Sequence, residues 1–87
     1  MYEVLVSHEA EKSYKKQDKN TKRRLNTCID SLSQEPLFGP HIKKLHGDLE
    51  GLYRYEIGGM RIVYKVDPKS KTVKIKAIRS RGDVYKS

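Results

Sequence analysis

From Leu52 to Ile78 apolar and polar side chains alternate with a period of two, in the three runs "LYRYEI" (Leu52–Ile57), "MRIVYKV" (Met60–Val66) and "TVKIKAI" (Thr72–Ile78). That period belongs to a β-strand, whose successive side chains point to opposite faces of a sheet. Gly58-Gly59 joins the first two runs, and Asp67-Pro68-Lys69-Ser70 falls between the second and third. Both compositions favour turns, so the three runs predict an antiparallel meander. Alternation assigns Tyr53, Tyr55, Ile57, Ile62, Tyr64, Val66, Val73, Ile75 and Ala77 to one face. The opposite face then presents Arg54, Glu56, Arg61, Lys65, Lys74 and Lys76.

The N-terminal half has a different period. Tyr2–Ser7, "YEVLVS", is aromatic and β-branched and predicts an opening strand, and Ser7 before "HEAEK" predicts a helix N-cap with acids in the first turn. The first helix is expected from His8 to Gln17, with Ala10 and Tyr14 facing inward and a break at "QDKN". Leu25, Cys28, Ile29 and Leu32 then fall at i, i+3, i+4 and i+7, the apolar stripe of a second helix. Lys22, Arg23, Asn26 and Asp30 occupy its solvated side. The loop "QEPLFGPH" ends that helix and is expected to tie Leu37 and Phe38 onto the core. The fold class expected is α+β, with two N-terminal helices packed on one face of a small, mainly antiparallel, four-stranded sheet, all in a single domain over residues 1–87.

Charge narrows the partner classes. Residues 1–40 carry 7 basic and 6 acidic side chains, whereas residues 41–87 carry 12 and 5, so the net charge of +8 sits almost entirely in the second half. Between Arg54 and Arg81 there are 9 basic residues against only Glu56 and Asp67. A surface shaped for solubility alone mixes the two signs, whereas a one-sign field concentrates a polyanion, and nucleic acid is the leading partner.

Several chemistries are not indicated. A chain of 87 residues buries only roughly 60% of its unfolded surface, so any reaction is expected on an open face rather than in a deep cleft. His8, His41 and His46 lie in different elements without metal-ligand spacing, the acids are scattered, and neither a P-loop nor a dinucleotide-binding glycine pattern occurs. No cofactor and no metal are expected. Cys28, the single cysteine, excludes an internal disulfide and is expected in the core. No stretch reaches the roughly 18 apolar residues of a membrane span, and acid comes too early in "MYEVLVSHEAEK" for a signal peptide. A cytoplasmic protein without a membrane partner is expected.

The string "KLHGDLEGLYRYEIGGMRIVYKVD" followed by "VKIKAIRSRGDVY" resembles the RelE branch of the RelE/ParE toxin superfamily, the toxins of toxin–antitoxin modules. The likeness extends over the whole chain in length and element order and is most specific from Lys44 to Tyr85. It implies a metal-independent endoribonuclease that cuts mRNA in the ribosomal A site and inhibits translation. A RelB-like antitoxin, disordered when free, would hold it inactive, and operator DNA would be bound only through the toxin–antitoxin complex. By position, Arg54 matches the first basic residue of the catalytic strand, Arg61 the phosphate-binding arginine, Arg79 the arginine that assists the leaving group, and Tyr85 the tyrosine that stacks on or orients a nucleotide. Arg81 matches a nearby basic position and is a substitute for Arg79. Lys44, Lys65, Lys74 and Lys76 are the expected RNA-binding lysines. Glu56 departs from the pattern, since a lysine that activates the 2′-hydroxyl stands there in the best-studied members. It is compatible with a carboxylate general base, a slower enzyme, or a branch that does not cut RNA. The alternative function is a ParE-like toxin that binds gyrase and has no ribonuclease activity.

Overall fold

The computed structural model describes residues 1–80. Arg81 and Tyr85 lie outside the described residues. Strand β1 (Glu3–Val6) leads into helices α1 (His8–Lys15) and α2 (Lys19–Gln34), followed by β2 (Ile42–Lys44), a 3-10 turn at Gly47–Leu49, β3 (Leu52–Ile57), β4 (Met60–Asp67) and β5 (Thr72–Arg79). The strands form one sheet in the order β1-β5-β4-β3-β2, with β1 parallel to β5 and the remaining pairs antiparallel. The α+β class holds with five strands instead of four. The additional strand is β2, three residues whose pairing with β3 comes from the neighbour's open backbone rather than from any alternation of its own.

Local chemistry sets the helix limits. The Ser7 hydroxyl accepts from the Ala10 amide at 3.1 Å to start α1, and the Asp18 carboxylate accepts from the Thr21 amide at 2.7 Å to start α2. The break expected at "QDKN" is therefore the second N-cap, and α1 stops at Lys15, two residues short of Gln17. Helix α2 buries Leu25, Cys28 and Leu32. They meet Met60, Ile62, Tyr64, Val73, Ile75 and Ile78 from the sheet and Ala10 from α1, with Ile29 packed at the edge. Each fully buried Leu or Ile of this set contributes about 1.5–3 kcal/mol.

Two expectations about the core are corrected. Val63 pairs with Ala77 but Tyr64 pairs with Ile75, so Lys76 is an extra residue in β5, a β-bulge. Beyond it the parity of β5 reverses. Ile78 takes the core position expected for Ala77, and Ala77 moves to the other face beside Val63. In the loop after α2, Phe38 is 76% exposed rather than tied to the core. Pro36 is buried there instead, and its carbonyl accepts from the buried Tyr64 hydroxyl at 2.7 Å.

Candidate anion-binding face

Both helices pack on the face that holds Ile62, Tyr64 and Ile75, which leaves the opposite face of the sheet uncovered among the described residues. Strand register arranges that open face in three transverse rows. Glu56, Arg61 and Arg79 form the first across β3, β4 and β5. Lys43, Arg54, Val63 and Ala77 form the second across β2 to β5. Leu52, Lys65, Lys74 and Leu5 form the third across β3, β4, β5 and β1. Small apolar side chains, Val63 and Ala77, thus floor a strip between two charged rows. Arg61 and Lys65, four residues apart on β4, are separated by about 13 Å of strand.

The bulge brings Arg79 to this face. In uninterrupted alternation Arg79 shares the parity of Val73 and Ile75 and points into the core, whereas the extra residue at Lys76 places it directly opposite Arg61. Two cations in direct cross-strand register repel one another. Each has a carboxylate beside it: Arg61 donates from Nε and Nη2 to Glu56 Oε2 at 3.3 and 3.0 Å, and Arg79 Nη2 lies 3.6 Å from Glu9 Oε1 at the start of α1. Arg54 Nε approaches Glu56 Oε1 at 3.8 Å and is closed off from solvent without a hydrogen bond.

Glu56 is therefore flanked by cations on two sides. The hydrogen bond from Arg61 holds its carboxyl below the usual carboxylate range against some desolvation, and the charges of Arg61, Arg54 and Lys43 add to the effect. A carboxylate so stabilised is a weaker base than a free one.

The lysines divide. Lys65 and Lys74 stand opposite one another, exposed, beside Leu5, which is 43% exposed. With Asp67, Ser70 and Thr72 they line a shallow depression of about 250 Å3. Lys76, at the bulge, is exposed on the same side. Lys44 is not brought to this face: it pairs with Tyr53, on the parity of the core, and Lys43 takes the place beside Arg54. Lys43 was missed because β2 is too short to show its parity in sequence.

The description "ParE toxin of type II toxin–antitoxin system, parDE" belongs to the family that matches the sequence, over residues 4–85. No curated protein matches the chain. Among solved structures, the chain is similar to the archaeal RelE–RelB complex from Pyrococcus horikoshii at 32% identity and a TM-score of 0.76, covering 93% of this chain and 96% of that one. It is similar to the RelBE2 toxin–antitoxin complex from Mycobacterium tuberculosis at 27% identity and a TM-score of 0.75, covering 92% and 98%. The YoeB–YefM toxin–antitoxin complex from Staphylococcus aureus is similar at 27% identity and a TM-score of 0.74, covering 91% and 95%. With a sequence match from Val4 to Tyr85 and a helix-backed sheet in common with these structures, the chain belongs to the ParE toxin family of type II toxin–antitoxin systems, within the RelE/ParE toxin superfamily.

Proposed function

We propose that this toxin is a ribosome-dependent, metal-independent endoribonuclease that cleaves mRNA in the A site. The observation that carries the proposal is the register of Arg61 against Arg79, with Arg54 one strand away, on a sheet face that neither α1 nor α2 covers. RNA carries its own nucleophile. Deprotonation of a 2′-hydroxyl lets its oxygen attack the adjacent phosphorus, and the bond to the 5′-oxygen breaks, leaving a 2′,3′-cyclic phosphate and, once protonated, a 5′-hydroxyl. Negative charge accumulates on the phosphate oxygens, and guanidinium groups that stay ionised and donate in pairs are suited to stabilising it.

Arg61 and Arg54 would hold the phosphate, and Arg79, with Arg81 as its substitute, would support the departing oxygen. Tyr85 would orient a base. Lys65, Lys74 and Lys76 would hold the flanking backbone, while Lys44 adds only to the surrounding field. Pairing with Arg61 favours Glu56 as a counter-ion over Glu56 as the general base. The proposed partners are the ribosome, mRNA and a RelB-like antitoxin. Complexes with RelB and YefM in similar structures support an antitoxin that covers this domain. Binding to operator DNA would occur only within that complex, and the toxin would work in the cytoplasm.

A second reading is favoured by the ParE family match and by the carboxylate neutralising the arginine row: a gyrase-binding toxin without RNA chemistry. Induced expression in a bacterial host separates the two. The ribonuclease predicts new 5′ ends within translated codons by primer extension, with no gyrase–DNA cleavage complexes. The gyrase toxin predicts the reverse.

A further inference from the structure

The arginine row of the open face holds an anion that belongs to the protein. Glu56 pairs directly with Arg61 across β3 and β4, and Nε and Nη2 of Arg61 both donate to Oε2. Its other oxygen, Oε1, is turned toward Arg54 at 3.8 Å. One carboxylate thus bridges two guanidiniums, the arrangement that the two unesterified oxygens of a phosphodiester would adopt there. The fit is unequal, because Arg61 donates twice to the carboxylate while Nε of Arg54 has no hydrogen bond.

Among the described residues, no other carboxylate bridges two cations of this face. Asp67, at the end of β4, accepts from the Lys69 amide at 3.1 Å and serves its own turn, and Glu9 reaches Arg79 from α1 rather than from the sheet. Glu56 is exposed, so its side chain has room to rotate away from Arg61 without disturbing the core.

We propose that Glu56 is a displaceable internal anion: it holds Arg61 and Arg54 in place while the site is empty, and the phosphate of a single-stranded RNA takes over both guanidiniums as the carboxylate swings out. The proposal deepens the ribonuclease reading and rests on it for the identity of the incoming phosphate. Because the carboxylate and the phosphate compete for the same donors, Glu56 lowers RNA affinity. Exposed ion pairs are individually weak, so removing the competition is worth about three- to tenfold. A purely structural role for Glu56 predicts the opposite sign, since an arginine released from its partner loses its orientation.

The test is equilibrium binding of a 2′-O-methyl oligouridylate, which lacks the attacking hydroxyl, followed by fluorescence anisotropy. Thermal melts accompany it to establish that each variant is folded. Glu56→Gln is expected to bind about three- to tenfold more tightly than wild type, and Glu56→Asp, which keeps the charge, within about twofold of it. The gain from Glu56→Gln should vanish when Arg61→Ala is added, because the competition is for Arg61. Equal or weaker binding by folded Glu56→Gln, with wild type binding the probe and cutting ribosome-bound mRNA, overturns the proposal and leaves the ribonuclease reading standing. Tighter binding by Glu56→Gln, with wild type failing to cut on ribosomes, retains the displaceable anion and overturns the ribonuclease reading instead. Absence of binding by both proteins overturns the proposal.

Discussion

The Ser7 hydroxyl donates to the Lys76 carbonyl at 3.0 Å while it accepts from the Ala10 amide at 3.1 Å. One side chain thereby caps α1 and takes up the carbonyl of the bulged residue in β5. The same bulge turns Arg79 toward Arg61. Loss of this hydroxyl removes an N-cap and hands the exposed Lys76 carbonyl to solvent. Ser7→Ala is expected to cost about 1–2 kcal/mol, which lowers the melting temperature of a domain this size by roughly 4–8 °C per kcal/mol. Ser7→Thr should recover most of it. Thermal melts followed by circular dichroism check both variants.

The buried hydroxyl of Tyr64 offers a second stability test. It donates to the Pro36 carbonyl at 2.7 Å, and its ring stacks on Tyr53 with centroids 5.8 Å apart. Tyr64→Phe keeps the stacking and removes the donor, so the Pro36 carbonyl loses its partner at a cost of about 1–3 kcal/mol. Urea unfolding should show a lower midpoint with an unchanged slope.

How much of this was legible in the sequence depends on the residue. The β3 and β4 faces follow from alternation because Tyr53, Tyr55, Ile62 and Tyr64 leave only one consistent parity. The β5 bulge does not, since Lys76-Ala77 carries no signal of an extra residue and alanine fits either face. Its one trace is a conflict: uninterrupted alternation points Arg79 into the core, where a cation without a partner is costly. Strand β2 was hidden by its length, and with it the exchange of Lys44 for Lys43. The exposure of Phe38 is not legible either, because hydrophobicity says nothing about which loop residue the backbone turns inward. That position went to Pro36, whose carbonyl answers Tyr64.

Stability should fall on the alkaline side. Burial raises the Cys28 thiol above its ordinary value of 9.0 and the Tyr55 and Tyr64 hydroxyls above 10.0. Groups whose folded values are raised contribute stability that is fully present below their unfolded values and is lost as pH rises through the folded ones. The melting temperature should therefore hold up to about pH 9 and decline beyond it. Asp18 and Glu56 are shifted the other way, by hydrogen bonds from Thr21 and Arg61, so their contribution is present above the usual carboxylate range and is lost as pH falls through their folded values. A melting profile with its decline beginning near neutrality would contradict the assignment to the buried thiol and tyrosines.

Lys65 and Lys74 test whether RNA extends along β4 away from the arginine row. Replacing both by alanine should weaken single-stranded RNA binding irrespective of sequence. If each lysine meets one phosphate, the slope of log affinity against log salt should become shallower by about 1.4. An unchanged slope would take these lysines off the RNA path.

If Arg61 stabilises charge on a cleaving phosphate, the rate of mRNA cleavage on purified, programmed ribosomes separates wild type from Arg61→Ala. The Arg61 side chain is solvent-facing and contributes little packing, so the variant should melt close to wild type. Its cleavage rate should nevertheless fall by about 10²–10³, the loss typical of removing a donor to developing negative charge, with Arg61→Lys recovering only part. Equal cleavage by wild type and a folded Arg61→Ala would remove Arg61 from the chemistry.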